Sequence, residues 1–202
     1  SFDKELLEMT EVAVKKFEVL GANVELLYPP FSREALWDSW TTLRSWCLAS
    51  SLGTFFRDHN QKQKLKKTII WEIERGLELS GADVLMASRL RSDWYSTSAG
   101  LFEKFDALVL PSAQVWPFST KKEYPQEISG VQMDTYHRWM EVMIPPALIG
   151  LPVVNIPGGF GSNDLPFGLQ VFGPKWSDAD LLNIAQKWHE ANDWPSLKRP
   201  CL

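Results

Sequence analysis

The spacing of apolar residues predicts helices throughout the first half of the chain. Apolar side chains recur at three- and four-residue steps over residues 3–20, which predicts a helix that ends at Gly21. The run Asn23–Tyr28 is followed by two prolines and predicts a short strand. Ser32 is placed to cap the helix that follows. A helical block is then predicted over about 33–104, with helices at residues 33–56, 61–79 and 82–104.

Short apolar runs bounded by charged residues, prolines and glycines predict strands in the second half. Together with residues 23–28 they supply the strands of one sheet, at residues 106–111, 152–156 and 166–172. Because helical and strand patterns follow one another along the chain, we predict an α/β fold in which helices flank a mixed β-sheet. No repeat or linker divides the pattern, which predicts a single domain over residues 1–202, with an irregular tail from Trp194.

Proline, glycine and serine predict the ends of several elements in the second half. Residues 112–132 show no periodicity and predict a long loop, a kind of segment that is often functional. Pro145 and Pro146 must end or kink the partly helical stretch 133–149. Ser177 has an acidic residue three positions later, so a capping box is predicted at the start of the last helix.

Charge and composition argue against several classes of function. The 202 residues carry a net charge of −4, whereas a nucleic-acid partner favours a basic face. No apolar run approaches the length of a membrane span, so no membrane partner is expected. No signal-peptide pattern opens the chain, and we therefore expect a cytoplasmic protein. The missing initial methionine indicates a processed product or an excised piece.

The cysteines and histidines predict neither a disulfide framework nor a metal site. Cys47 and Cys201 are the two cysteines, and they form no paired motif. Cys47 has apolar neighbours in the sequence and is interpreted as a buried small side chain. The three histidines are scattered, without the ligand spacing of a zinc site.

Tryptophan is unusually frequent, with ten residues in the chain. Most of them are interpreted as large core anchors that pack helices onto the sheet, because aromatic side chains dominate buried area. The alternative is an aromatic-lined pocket for an apolar or aryl substrate.

The glycine-rich stretch Pro157–Gly161 resembles no complete catalytic or phosphate-binding motif. It lacks the Lys-Ser/Thr pair of a phosphate loop and the spacing of a dinucleotide fingerprint. The chain also has no Gly-x-Ser-x-Gly elbow. The stretch is interpreted as a turn at which two chain segments approach closely.

Four segments stand in a distinctive order near the end of the chain: Gly150–Pro152, Pro157–Phe160, Leu165–Gly173 and the helix from Asp178 to Trp194. In this order they resemble the C-terminal end of amidase-signature hydrolases. Upstream, Phe105–Pro111 is similar to the strand before the pocket loop of that family, and the resemblance extends over essentially the full chain. Gly158 stands where the family commonly has a cysteine that is not catalytic.

The resemblance implies an amide hydrolase whose catalytic residues are not in this chain. The family uses a Ser–cis-Ser–Lys triad in a Gly/Ser-rich segment, because serine is a weak nucleophile without an adjacent base. Ser50, Ser51, Ser80 and Ser98 lie in helical patterns or at helix breaks, and none is proposed as the nucleophile. The implied partner is the N-terminal part of the same amidase, without which the chain is expected to be inactive. No cofactor is implied.

By position, the resemblance also assigns one side of the substrate pocket to this chain. The segment before the Gly-x-Pro strand often lines the pocket of the family, where a small amide substrate binds. With one tryptophan of the long loop, the pocket candidates are Trp116, Arg138, Trp139, Val142 and Met143. The alternative for each of them is plain core packing.

Two other functions remain open. One is a non-catalytic binding or scaffold module that kept the fold without the chemistry, and the other is an amidotransferase subunit, which takes ammonia from glutamine. A sheet without its other half has an open edge, and open edges invite pairing. We therefore expect the isolated chain to form a homo-oligomer, unless a helix or loop covers the edge.

Overall fold

The computed structural model describes residues 1–198, which form two compact units. One unit comprises Ser1–Tyr28 together with the chain from Ala99 onward, and the other is Pro29–Ser98. The single domain over residues 1–202 stays a prediction. Cys201 lies outside the described residues.

Helices and strands follow one another along the described chain, and the α/β fold class is confirmed. The α-helices are α1 (Leu6–Val19), α2 (Arg33–Arg57), α3 (His59–Lys62), α4 (Lys67–Glu78), α5 (Gly81–Leu101), α6 (Ile144–Ile149), α7 (Asp178–Asn192) and α8 (Trp194–Leu197). A 3₁₀ helix at Arg138–Met143 precedes α6. The strands are β1 (Leu108–Pro111), β2 (Glu127–Ile128), β3 (Val131–Gln132), β4 (Val153–Phe160) and β5 (Pro166–Phe172).

The main sheet has three strands, with β5 between β1 and β4. Both pairings are antiparallel, and Phe172 of β5 lies opposite Leu108 on one side and Val153 on the other. A mixed sheet also requires a parallel pair, which the described strands do not contain. For β4 and β5 the physical reason is the short connection between them, since a parallel pair needs a crossover of a dozen or more residues.

The glycine-rich stretch Pro157–Gly161 is mostly strand rather than turn, which corrects its interpretation. Strand β4 continues to Phe160, and the turn lies beyond it at residues 161–165. The close approach, however, is present. A Cβ atom on Gly158 would lie 2.4 Å from the ring of Phe167, so the missing side chain lets this ring pack against β4.

Helices α1 and α7 pack with the sheet to form the core of the first unit. Trp188 of α7 is 1% exposed, and the centroid of its ring lies 4.4 Å from the ring centroid of Phe17 on α1. Its indole Nε1 donates to the carbonyl of Pro157 on β4, at 2.8 Å. Leu169 and Val171 of β5 are buried in the same cluster. One tryptophan therefore connects both helices to the sheet, as a core anchor. The core-anchor interpretation does not extend to Trp46, Trp71 and Trp176, which are exposed.

The predicted strand at residues 23–28 does not form. Among the described residues, no backbone hydrogen bond joins this segment to another. Val24 packs against the core cluster, but Leu26 and Tyr28 are exposed. A strand is defined by a paired neighbour, so a strand-like sequence alone does not produce one.

Three boundaries near the end of the chain refine the sequence predictions. The predicted capping box is wrong, because the Ser177 hydroxyl donates to the carbonyl of Pro174 at 2.7 Å and makes no capping bond. Pro145 and Pro146 lie in the first turn of α6, where a missing N–H is tolerated, and the 3₁₀ helix ends just before them. Trp194 begins the short helix α8 rather than an irregular tail.

The helical unit is held by close packing between α2 and α4. The start of α2 is as predicted, since the Ala35 amide donates to the Ser32 hydroxyl at 3.2 Å. Where the two helices are closest, a Cβ atom on Gly76 would lie 2.1 Å from the backbone oxygen of Ser45. Backbone atoms of α2 thus occupy the space that any side chain at Gly76 would need.

Cys47 is exposed, which corrects the prediction that it is buried. Its neighbour Trp46 is exposed as well. The prediction relied on residues adjacent in the sequence, but neighbours in a helix point in directions about 100° apart. Apolar residues on either side of Cys47 therefore do not bury it.

We expect the substitution Gly76→Ala to lower the free energy of unfolding by about 1–3 kcal/mol or more, because it overpacks the α2–α4 contact. Gly100→Ala is the matched control, since Gly100 is also helical and nothing lies within 4 Å of its Cβ position. That control should be neutral or stabilise by up to about 1 kcal/mol. Urea denaturation of both variants measures the difference, and equal stability of the two would contradict the packing account.

Candidate functional site

Four of the five predicted pocket residues lie together in the 3₁₀ helix Arg138–Met143, just before α6. Met143 is 44% exposed, while Arg138, Trp139 and Val142 are partly buried. The helix contains a kink at Met140, where φ is −116° and ψ is 17°. The segment therefore has an irregular backbone, with side chains of different chemistry close together.

Two buried glutamines hold the centre of this segment in place. The Val142 amide donates to Oε1 of Gln114 at 3.0 Å. The Val142 carbonyl accepts from Nε2 of Gln170 at 2.8 Å, and the same nitrogen donates to the Pro111 carbonyl at 3.0 Å. Gln114 is 2% exposed and Gln170 is 3% exposed. The peptide group of Val142 is thus bound from both sides by side chains of other segments.

Sequence reasoning missed both glutamines as site residues. Gln170 gave a usable signal, because it is a polar side chain between Leu169 and Val171 in a strand with a buried apolar pattern. A buried polar group needs a partner, so its position already required a hydrogen-bonding function. Gln114 lies in the long loop and gave no such signal.

Arg138 is paired with two carboxylates. Its Nη2 lies 2.7 Å from Oδ2 of Asp134, and its Nη1 lies 3.3 Å from Oε1 of Glu141. The hydrogen bonds from Arg138 lower the pKa of Asp134 below its ordinary value of 3.8, and this effect outweighs the desolvation of the carboxyl. The charge of the guanidinium is therefore balanced within the segment, which favours a neutral ligand beside it over an anionic one.

Trp139 packs against an aromatic side chain of the long loop. Its ring meets Phe118 edge to face, with 5.5 Å between the ring centroids. Tyr124 and Tyr136 form a second edge-to-face pair at 5.3 Å. The indole Nε1 of Trp139 is buried and has no hydrogen-bond partner among the described residues. An unpaired buried donor costs about 1–3 kcal/mol. Ser45, Thr135 and Trp194 also have a buried side-chain atom without a partner among the described residues.

Trp116, the fifth candidate, is placed by other contacts. Its ring meets Phe167 edge to face at 6.0 Å, and its Nε1 donates to the Lys4 carbonyl at 3.2 Å. A Cβ atom on Gly161 would lie 2.5 Å from the same ring. The interactions of Trp116 thus go to the start of the chain and the β4–β5 hairpin rather than to the 3₁₀ helix.

Three of the serines considered in the sequence make local structural hydrogen bonds. The hydroxyl of Ser51 donates to the Cys47 carbonyl at 2.8 Å, and that of Ser98 donates to the Tyr95 carbonyl at 2.9 Å. Ser80 pairs with Asp83 at the start of α5. Within residues 1–198, no hydrogen bond joins a serine hydroxyl to a lysine ammonium, the contact that a Ser–Lys nucleophile needs.

The described part of the chain has neither a metal-binding cluster nor a membrane-spanning helix. It contains no group of three or more His, Cys, Asp or Glu side chains arranged to hold a metal ion. None of its helices combines the length and the apolar character needed to cross a membrane.

Comparison with protein families and known sequences gives consistent matches. The family model described as Amidase matches residues 1–182. An acylamidase of Rhodococcus erythropolis is 24% identical over 200 residues, which are 97% of this chain and 41% of that protein. A glutamyl-tRNA(Gln) amidotransferase subunit of Ralstonia pickettii (strain 12J) is 30% identical over 140 residues, 61% of this chain and 26% of that protein. The chain spans less than half the length of these relatives.

Solved structures with the same fold are also longer than this chain. A bacterial aryl acylamidase of the amidase signature family superposes with a TM-score of 0.84 at 21% identity, over 99% of this chain and 44% of that one. A glutamyl-tRNA(Gln) amidotransferase subunit from Thermotoga maritima superposes with a TM-score of 0.64 at 23% identity, over 94% of this chain and 39% of that one. The likeness at these identities establishes a shared fold.

Proposed function

The chain belongs to the amidase family, and we propose that it is the C-terminal part of an amide hydrolase whose catalytic segment lies outside residues 1–202. The main support for this proposal is the match to the aryl acylamidase structure. The match covers 99% of this chain but 44% of that one, so more than half of the aryl acylamidase has no counterpart in residues 1–202. The bonding of the described serines supports the same proposal, because no hydrogen bond joins any of their hydroxyls to a lysine ammonium.

The proposed reaction is acyl transfer from an amide to water. A serine of the N-terminal part attacks the amide carbonyl, and the amine leaves with a proton. Water then cleaves the acyl-serine to a carboxylic acid and regenerates the serine hydroxyl. In this proposal the present chain contributes a wall of the substrate pocket through the 3₁₀ helix Arg138–Met143, and no cofactor takes part.

The chemistry of the 3₁₀ helix favours a small neutral amide with an apolar or aryl group. Arg138 is already neutralised by Asp134 and Glu141, so it attracts a carboxylate only in competition with them. Trp139 and Phe118 offer aromatic surface beside it. The acylamidase relative, which covers 97% of this chain, is consistent with this class of substrate.

The second candidate is an amidotransferase subunit that obtains ammonia from glutamine. The amidotransferase relative of Ralstonia pickettii supports it, with 30% identity over 61% of the chain. A non-catalytic module, a cytoplasmic location and self-association through the open sheet edge remain predictions from the sequence. Substrate preference distinguishes the two enzymatic candidates directly.

The test uses the complete protein, in which this chain follows its N-terminal part. We expect hydrolysis of an aryl amide such as an anilide in preference to glutamine. The Met143→Ala variant should lower kcat/KM for the anilide about 10-fold or more, because in this proposal the exposed side chain of Met143 forms part of the pocket wall. Met86→Ala is the matched control, since Met86 is also exposed but lies on α5, and it should change kcat/KM less than about 2-fold.

Each result of this test has a distinct meaning. Release of ammonia from glutamine without anilide cleavage would favour the amidotransferase. Absence of both activities would contradict an enzymatic function. Equal kinetic effects of the two methionine variants would contradict the assignment of the pocket wall while leaving the hydrolase proposal in place.

A further inference from the structure

The 3₁₀ helix Arg138–Met143 is held partly by hydrogen bonds to groups outside it. The Met140 amide donates to the His137 carbonyl at 3.0 Å, but the Val142 amide donates outside the helix, to the side chain of Gln114. The backbone is also kinked at Met140, two residues before Val142. Since a short 3₁₀ helix is only weakly held by its internal bonds, its position depends on the groups that bind it from outside.

Gln170 connects this helix to the central strand of the sheet. Its single Nε2 atom has two hydrogens, and it donates both, one to the Val142 carbonyl and one to the Pro111 carbonyl at the end of β1. Because Gln170 is buried in β5, between two paired strands, its side chain has a fixed origin. The sheet thus fixes the position of the Val142 peptide group relative to β5.

Gln114 connects the same peptide group to the first residues of the chain. Its Oε1 accepts from the Val142 amide, while its Nε2 donates to the Ser1 carbonyl at 2.9 Å. The backbone oxygen of Gln114 accepts from the Asp3 amide at 2.8 Å. One buried side chain therefore joins the helix of the candidate pocket to the segment at which this chain begins.

We propose that Gln114 and Gln170 form a clamp on the Val142 peptide that positions the pocket wall for substrate. The inference rests on the proposed function, in which Arg138–Met143 lines the pocket and the catalytic part precedes Ser1. In that case Gln114 also fixes the position of the pocket wall relative to the segment that follows the catalytic part. Both are positioning residues, because their contacts are to backbone groups and not to the reacting atoms.

Glutamine is suited to this position by its chemistry. An amide side chain both donates and accepts while carrying no charge, so it can satisfy a buried N–H and a buried C=O together. A carboxylate at Gln170 would lose both donated bonds, and an apolar side chain at either position would leave a peptide group of Val142 unpaired. We therefore expect that even a substitution of similar size at Gln114 or Gln170 weakens the hydrogen bonding of the Val142 peptide.

The test compares Gln114→Met and Gln170→Met with Gln186→Met in the complete protein. Gln186 bonds Glu190 on the exposed face of α7, so its variant controls for the substitution itself. We expect KM for the anilide to rise about 10-fold in each clamp variant, with a smaller change in kcat, and no change in Gln186→Met. Gln114→Glu retains an oxygen that can accept from Val142 but loses the donor to the Ser1 carbonyl, so it too should raise KM. A purely structural role would instead lower kcat in proportion to the folded fraction and leave KM unchanged.

Hydrogen exchange at the Val142 amide gives a readout that is independent of activity. The clamp predicts faster exchange of this amide in Gln114→Met than in Gln186→Met, at conditions where both proteins are folded. Unchanged KM and unchanged exchange in the clamp variants would overturn the clamp. Absence of anilide cleavage by the unsubstituted protein would instead overturn the proposed function, so the two failures are distinguishable.

Discussion

The substitution Trp188→Ala should lower the free energy of unfolding by about 3–5 kcal/mol, which is the range for truncation of a buried tryptophan. Trp188 is 1% exposed, lies against Phe17 of α1 and donates to the Pro157 carbonyl of β4. Its removal opens a cavity where three elements meet and leaves a strand carbonyl without one of its donors. The loss is a large fraction of the roughly 5–15 kcal/mol that stabilises a typical domain.

Two further variants separate packing from hydrogen bonding at this site. Trp188→Phe retains an aromatic ring but loses the indole N–H, and it should cost less than the alanine variant. Trp176→Ala is the matched control, because Trp176 is 82% exposed and should change stability by less than about 0.5 kcal/mol. Chemical denaturation measures all three. A loss below about 1 kcal/mol for Trp188→Ala would contradict the assignment of this residue as the anchor of the core.

Residues 1–202 expressed alone should hydrolyse no amide above background, whereas the complete protein should be at least about 10⁶-fold faster than the uncatalysed reaction. The reason is that no hydrogen bond joins a serine hydroxyl to a lysine ammonium among the described residues, and Ser51 and Ser98 donate to backbone carbonyls of their own helices. A serine without an adjacent base is a weak nucleophile. The measurement is anilide hydrolysis by the two proteins at equal concentration and pH.

The control for this comparison is a set of serine-to-alanine variants within the chain. If a trace of activity in the isolated chain comes from a contaminant, none of the variants changes it. Amide hydrolysis that a single substitution such as Ser98→Ala abolishes would contradict the proposal, because it would place the nucleophile in this chain.

The sheet was largely predictable from the sequence, because its strands are short apolar runs with clear boundaries. Residues 166–172 match β5, and residues 106–111 contain β1. The prediction for residues 23–28 failed because a strand also requires a partner, which a local pattern does not contain. The glycines after Pro157 were interpreted as a turn because glycine is common in turns. In the fold they allow tight packing against Phe167, and this tertiary contact is not visible in the local sequence.

The segment proposed for the site was chosen from the sequence, but the contacts that hold it in place were not predictable. Resemblance placed Arg138, Trp139, Val142 and Met143 in one segment, and the structure brings them together in one 3₁₀ helix. The glutamines that hold this helix come from the long loop and from β5, at distances along the chain that no local pattern spans. The role of these glutamines depends on hydrogen bonds between distant segments, which are visible only in the folded chain.

The most direct test of the account is to locate the reactive serine of the complete protein. A fluorophosphonate probe reacts with the activated serine of a serine hydrolase, and peptide mass spectrometry identifies the labelled residue. We predict a single labelled serine that precedes Ser1 of this chain, with residues 1–202 unlabelled both in the complete protein and in isolation. Stoichiometric labelling of a serine within residues 1–202 would contradict the central claim that this chain shapes the pocket and does not carry the reaction.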